Sequence, residues 1–261
     1  MNYPGKPVKQ GAKNETVKAI QQQLNASGFG PVKEDGNFGQ GTFSAVEELQ
    51  AAHKLQVDGI VGNDTWNALF QQGRHIINRD HFFQTIKSGL FNGKLTQKQL
   101  NGITAILDEW ETNYSGMDDR FLAYMLATTF HETATTMQPI EEYGRGAGRP
   151  YGKVDPITGQ AYYGRGFVQL TWKDNYAKFS TILNADLVNN PALALDLVNA
   201  TKILFIGMIR GSFTNKKLSD YFAGTNSDWE NARKIINGLD RAGLIAGYGR
   251  TFYSSISYIA A

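Results

Sequence analysis

A mostly α-helical fold in two parts is what the sequence predicts, a small three-helix domain followed by a larger helical one. Three observations carry this. Apolar residues recur at spacings of three and four in one segment after another. Few stretches alternate apolar and polar residues with period two. Residues 11 to 70 hold a repeated turn-and-helix pattern that the remainder lacks. The chain has 261 residues, 41% apolar and 19% charged, the composition of an ordinary soluble globular protein with room for two cores. Its net charge of +2 is too small to point to nucleic acid, although mild basicity suits an anionic polymer. Without cysteine, disulfide scaffolds, thiol nucleophiles and thiolate metal sites are excluded.

The segment Met1 to Lys6 lacks an apolar core after its basic residue, so no secretory signal is expected, and no later run approaches the length of a membrane span. The expected location is the cytoplasm until something releases the protein. Thr16 to Asn25 reads as a first helix. The string from Asp35 to Val46 (DGNFGQGTFSAV) then recurs from Asp58 to Leu69 (DGIVGNDTWNAL). In each copy Asp-Gly predicts a tight turn, a second Gly permits positive φ, and Thr42 or Thr65 is placed to cap a helix. Phe43 and Trp66 read as core aromatics. Residues 1–73 are taken as this domain, 74–81 as a short polar linker and 82–261 as the second domain.

In the second domain, Phe82 to Leu90 and Thr96 to Tyr114 have helical spacing, the latter through Leu100, Ile103, Ile106, Leu107 and Trp110. Asp119 to Thr133 reads as a helix capped by Asp118 or Asp119. Gly144 to Gly159, rich in Gly and Pro, is a surface excursion and a candidate cleft wall. Its Gly144-x-Gly146-x-Gly148 has no strand before it and no helix start after it, so a phosphate loop is dismissed. Pro191 to Ile209 is a long apolar helix interrupted by Asp196, Asn199, Thr201 and Lys202, hence buried and not membrane-spanning. Lys217 to Phe222 and Trp229 to Asn237 are two further short helices, and Asp240 to Ala260 closes the domain.

Two acids stand out. Stepping back from Glu132 by four, seven and eleven gives Thr128, Met125 and Phe121, so its carboxyl leaves the helix on the core-facing side near the C-terminal end. Desolvation and the negative end of the helix dipole both favour the protonated form there, as a general acid requires. The alternative, a Glu bent to solvent or paired with an Arg, has equal weight from the helix alone. Glu141 lies nine residues on, beyond Pro139, which rules against one continuous helix through both. Two carboxyl groups across a cleft are what glycoside hydrolysis generally uses.

His131-Glu132-Thr133, an acid nine residues later, Tyr163-Gly164-Arg165-Gly166-x-x-Gln169-Leu170-Thr171-x-x-x-Asn175-Tyr176, Asp186 to Pro191 (DLVNNP) and Ile235-Ile236-Asn237-Gly238 together resemble the core of family 19 glycoside hydrolases, in the branch of phage endolysins and bacterial chitinase-like proteins. The resemblance implies an α-helical lysozyme-like domain in which Glu132 is the general acid and Glu141 the general base of an inverting hydrolysis. It further implies that Thr171 helps hold the attacking water and that Gln169, Asn175 and Asn237, with Tyr163, bind the sugar. Glu142 directly follows Glu141 and leaves the base open to assignment one residue off. Asp174 stands where chitinases often have Tyr. The doubled D-G-x-x-G-x-x-T-[FW] pattern is similar to the small three-helix peptidoglycan-binding domain of wall-degrading enzymes.

Other chemistries fit less well. His131-Glu132-x-x-Thr135 resembles the start of a zinc-protease helix, but Thr replaces the second His, and only His53, His75 and His81 remain. No G-x-S-x-G is present. Three functions stay open at this point: a hydrolase cutting between N-acetylmuramic acid and N-acetylglucosamine, a chitinase, and a non-catalytic wall-binding protein. The expected partner is bacterial peptidoglycan, with no nucleic acid, no membrane insertion, no metal and no cofactor, and with the chain acting as a monomer.

Overall fold

The computed structural model of the chain describes residues 4–70 and 76–259, so residues 74 and 75 of the expected linker lie outside the described residues. The chain divides into two compact units. The first comprises residues 1–76, 110–118 and 258–261, and the second 77–109 and 119–257. The chain therefore leaves the second unit after Glu109, contributes a short segment to the first, and returns at Asp119.

The first unit holds α1 (Glu15–Ala26), α2 (Gln40–Ala52) and α3 (Asn63–Phe70). Asn14 caps α1 by accepting from the Val17 N–H at 3.0 Å. Two isolated antiparallel bridges, Val8 to Val61 and Lys13 to Asn37, tie the connecting segments together. The repeat has a different basis from the one expected. Thr42 and Thr65 are not caps. Each lies inside its helix and is buried, its hydroxyl accepting from a buried glutamine amide at 3.1 Å, Gln21 for the first copy and Gln50 for the second.

Each glutamine organises one turn completely. Gln21 Nε2 also donates to Asp35 Oδ1 and the Asn37 carbonyl, while its Oε1 accepts from the Gly36 N–H. Gln50 does the same with Asp58 Oδ1, the Ile60 carbonyl and the N–H groups of Asp58 and Gly59. Positive φ falls on the Gly of each Asp-Gly pair, Gly36 at 71° and Gly59 at 67°, and not on the second Gly, since Gly39 is extended at −88°. A Cβ at Gly59 would also collide with the Phe43 ring. Trp66 is fully buried, as expected of a core aromatic.

The second unit begins with α4 (Arg79–Gly89), capped by Asn78, so helix starts within the span read as linker. Then come α5 (Gln97–Glu109) and α6 (Asp119–Glu132). Every residue from Phe121 to Phe130 in α6 is buried, which makes it the axis of this core. It packs on α9 (Ala242–Ser255), where Phe130 meets Tyr248 and Phe252 edge-on at 4.8 and 6.1 Å. Further along α6, Tyr124 lies 5.6 Å from Phe222 and 6.3 Å from Trp229. This aromatic lining fixes the helix that ends in Glu132.

Between α6 and α9 lie β1 (Ile140–Glu141) and β2 (Arg165–Gly166), an antiparallel pair with Glu141 opposite Arg165. After these come α7 (Lys173–Leu183), α8 (Leu197–Arg210), and a second pair, β3 (Phe222–Ala223) with β4 (Asn226–Ser227). Several elements are shorter than the periodicity predicts. The long helix from Pro191 is broken, with one 3-10 turn over Pro191–Leu195 and then α8, because the Asp196 side chain caps the N–H groups of Val198 and Asn199. Lys217 to Phe222 is a 3-10 turn leading into β3, and Trp229 to Asn237 contains the 3-10 segment Asn231–Ile235. The final helix stops at Ser255. No helix among the described residues is long and apolar enough to cross a membrane.

Candidate active site

Glu132 ends α6 with its side chain 15% exposed and its Oε1 accepting from Arg233 Nη1 at 2.5 Å. Arg233 is buried and also donates from Nε to the Asp240 carbonyl at 3.2 Å. Of the two readings open for this helix, pairing with an arginine is the one realised. His131, half-buried next to it, has its pKa lowered, chiefly by burial and against the opposing pull of Glu132.

The turn leading from Glu132 to Glu141 is closely specified. Ala134, Thr135 and Met137 all have positive φ, at 49°, 67° and 53°. Such strain persists only where surrounding bonds over-determine it. Here the Thr133 hydroxyl donates to the Thr129 carbonyl at 2.7 Å and accepts from the Met137 N–H at 3.0 Å. From α5, Gln99 Nε2 donates to the Thr135 carbonyl at 3.0 Å, and Gln138 Nε2 reaches back to the Lys98 carbonyl at 2.6 Å. Gly102 leaves room for the turn, because a Cβ there would collide with the Met137 carbonyl.

Glu141 emerges on β1 into a set of donors. Tyr163 Oη donates to its Oε1 at 2.7 Å, Arg145 Nη2 pairs with its Oε2 at 2.9 Å, and Arg165 Nε stands 3.7 Å from Oε1. That last distance is an ion-pair contact and too long for a hydrogen bond. The Tyr163 hydrogen bond, followed by the two arginines, holds the Glu141 carboxyl below its ordinary 4.5. In return, burial and the Glu141 hydrogen bond raise Tyr163. Arg165 is itself buried. Its guanidinium lies 3.6 Å from the Tyr163 ring centroid, and Nη1 donates to the Ala161 carbonyl and to Tyr176 Oη, both at 3.0 Å.

Glu142 is occupied differently. Its Oε1 accepts from Tyr151 Oη and its Oε2 from the Gly164 N–H, both at 3.1 Å, so it braces the loop from both oxygens. The Tyr151 ring in turn meets Trp172 edge-on at 5.4 Å. The excursion from Gly144 to Gly159 is pinned near its far end, where Asp155 pairs with Lys173 at 2.8 Å and accepts from the N–H groups of Ile157 and Thr158. Those bonds, Lys173 first, hold Asp155 at about 2.

The other expected site residues fall as follows. Gln169 donates from Nε2 to the Ile140 and Gly166 carbonyls at 3.1 and 3.3 Å, which commits both amide hydrogens to the β1–β2 hairpin, while its Oε1 lies over Gly164, where a Cβ would meet it. Asn175 Nδ2 donates to the Thr171 carbonyl at 2.8 Å, joining those two residues. Asn237 is exposed one turn past Arg233, its N–H donating to the Arg233 carbonyl at 3.1 Å and its Oδ1 accepting from the Gly238 N–H. Besides the Thr171–Asn175 pair, the residues form two bonded groups. One is Glu141, Tyr163, Arg165 and Gln169 on the hairpin, and the other is Glu132, Arg233 and the start of the Asn237 turn.

Sequence reasoning missed Arg233 and left Arg165, Tyr151 and Trp172 without a role. Arg233 lies 101 residues from its partner, so no local spacing reports it. Arg165 was in plain view inside Gly-Arg-Gly, and a buried cation beside a candidate carboxylate was the available signal. Among the described residues, no three His, Asp or Glu side chains group as a metal site would need.

Residues 13–69 match the family described as "Putative peptidoglycan binding domain", and residues 117–217 match chitinase class I, family 19 of the glycoside hydrolases. A spore cortex-lytic enzyme of Oceanobacillus iheyensis is 32% identical over 82 residues, 31% of this chain and 29% of that protein. An inactive chitinase-like protein of Hevea brasiliensis is 35% identical over 92 residues, 35% of this chain and 27% of that protein. The chain thus spans less than a third of the length of either curated relative. The crystal structure of chitinase C from Streptomyces griseus aligns over 72% of this chain and 80% of its own, at 19% identity and a TM-score of 0.46. Two family models thus match in succession, a peptidoglycan-binding domain over residues 13–69 and chitinase class I over residues 117–217, each over less than half of the chain.

Proposed function

We propose that the protein is a peptidoglycan hydrolase that cleaves the β-1,4 bond between N-acetylmuramic acid and N-acetylglucosamine by inverting acid/base hydrolysis. The observation that carries this is the presence in one chain of a peptidoglycan-binding domain and a family 19 domain that keeps both Glu132 and Glu141. A chitinase shares the second domain but gains little from a wall-binding one.

In this reading Glu132 gives its proton to the leaving glycosidic oxygen, and Glu141, held as a carboxylate by Tyr163 and its two arginines, takes one from the attacking water. Arg233 is already in place to stabilise the negative charge that develops on Glu132 as the proton leaves, so no reorganisation is needed at that moment. The proton gained by Glu141 returns to Glu132 through solvent before the next turnover. Thr171 and Asn175 hold the water and the sugar, with Gln169 Oε1 accepting from an acetamido N–H. The excursion flanking Glu142 carries Arg145, Arg149 and Lys153 and no acid between residues 143 and 153, which favours the anionic wall polymer over neutral chitin. The biological setting proposed is host lysis by a phage endolysin, monomeric and held in the host cytoplasm until the membrane is breached.

Glu132→Gln tests the mechanism. It removes the proton donor while keeping an oxygen for Arg233, so turnover is expected to vanish with polymer binding retained. A variant that clears walls at the wild-type rate would overturn the assignment. Mass spectrometry of the digest then identifies the bond: muramic acid at the new reducing ends supports this reading, and glucosamine there contradicts it.

A further inference from the structure

Of the four tryptophans, Trp66 and Trp110 are fully enclosed and Trp229 nearly so, whereas Trp172 leaves 50% of its surface in solvent. Its backbone is held at φ 69°, ψ 134°, a conformation that suits glycine and strains any residue with a Cβ. The strain is imposed from both sides. The Trp172 N–H donates to the Tyr162 carbonyl at 3.0 Å, and its own carbonyl accepts from the N–H groups of Asn175 and Tyr176 at 3.1 and 3.2 Å. A large apolar ring that is neither buried nor relaxed gains the fold little, so stability does not account for its presence.

Its position is informative. Trp172 follows Thr171 directly, and its ring stands at 72° to that of Tyr151, whose hydroxyl is bonded to Glu142 beside Glu141. The two rings form a right-angled pair braced against the candidate catalytic hairpin. A β-linked acetamido sugar carries its substituents around the ring edge and presents apolar C–H faces, which an exposed indole matches by dispersion and weak C–H contacts.

We propose that the exposed face of Trp172, squared by Tyr151, is a stacking platform for one pyranose ring of the polysaccharide, a binding residue that sets the register of the chain relative to Glu141. The inference rests on the hydrolase reading above but is tested by binding as well as by turnover.

The full-length chain carrying Glu132→Gln, so that ligand is not consumed, is titrated with a soluble peptidoglycan tetrasaccharide and with an N-acetylglucosamine tetramer while tryptophan emission is followed. Because the other three tryptophans are enclosed, the expected signal is a blue shift with protection from acrylamide quenching, lost when Trp172→Phe is added. The phenylalanine ring keeps a stacking face, so that variant binds within about threefold of its parent, whereas Trp172→Gly weakens binding about tenfold or more. In the otherwise wild-type chain, Trp172→Gly raises KM by the same factor, leaves kcat within about twofold and holds or raises Tm.

An unchanged emission at saturating ligand, unchanged binding by Trp172→Gly, or a fall in its Tm of more than a few degrees would each overturn the proposal, the last by making the residue structural. A wild-type chain that binds with the spectral shift but releases no reducing ends would sink the hydrolase reading and leave this one standing. Hydrolysis without the shift would do the reverse.

Discussion

Tyr163 controls Glu141 through one hydrogen bond of 2.7 Å, the largest of the influences that keep that carboxyl below its ordinary 4.5. The sign of the linkage follows. Glu141 and its donors stabilise the fold above the unfolded value, and the contribution is lost as pH falls through the lower folded value. The acid limb of the kcat/KM profile is therefore expected below pH 4.5, and Tyr163→Phe is expected to move that limb to higher pH with the alkaline limb unmoved. A pH–rate profile that does not shift would show that some other group sets the limb. At this scale the sequence was legible where chemistry is local, in the motif that holds Tyr163, Gly164 and Arg165. It was silent where a partner comes from afar, as with Arg233, whose guanidinium meets the Glu132 carboxyl from 101 positions along the chain.

The turn from Thr133 to Gln138 is the element that sets the two glutamates apart, and its shape depends on α5 making room for it. Gly102→Ala drives a methyl group into the Met137 carbonyl, which is backbone and cannot swing aside. The expected result is a loss of about 1–3 kcal/mol in urea denaturation together with a fall in kcat, since β1 shifts with the turn. Loss of stability with kcat unchanged would show that the turn does not position Glu141.

In the first unit, Gln50→Leu strands the buried N–H of Gly59 and the half-buried N–H of Asp58. It is expected to cost about 2–4 kcal/mol, read as lost hydrogen-exchange protection over residues 13–69. The repeat itself was visible in the sequence, as were the positions of most helices. The glutamines were not, because Gln21 precedes its Asp-Gly turn by fourteen residues and Gln50 by eight, and unequal offsets hide a shared role. The strand pairs were invisible for another reason. Two residues each are too few to show a period.

At the scale of the whole molecule, the proposed function makes the first domain a tether that raises the local concentration of the active site on an insoluble polymer without any new contact in that site. Disabling the first domain with Gln50→Leu is accordingly expected to slow clearing of insoluble wall by about tenfold or more while sparing turnover of a soluble fragment. Equal losses on both substrates would contradict the tether. This point variant is a cleaner probe than removal of residues 1–73. The excursion from Trp110 to Asp118 belongs to the same compact unit as the repeat, and Trp110 and Tyr114 in it are fully buried.

That interleaving constrains anyone who would recombine such enzymes. A graft cut at the apparent border near residue 73 carries away most of one unit and leaves behind residues 110–118, two large aromatics among them, just ahead of the helix that bears Glu132, and residues 258–261 at the far end of the sequence. Exchanging this unit between chains of the same build therefore means transplanting three separate stretches of sequence, and a chimera made from the first alone should precipitate before it can be assayed.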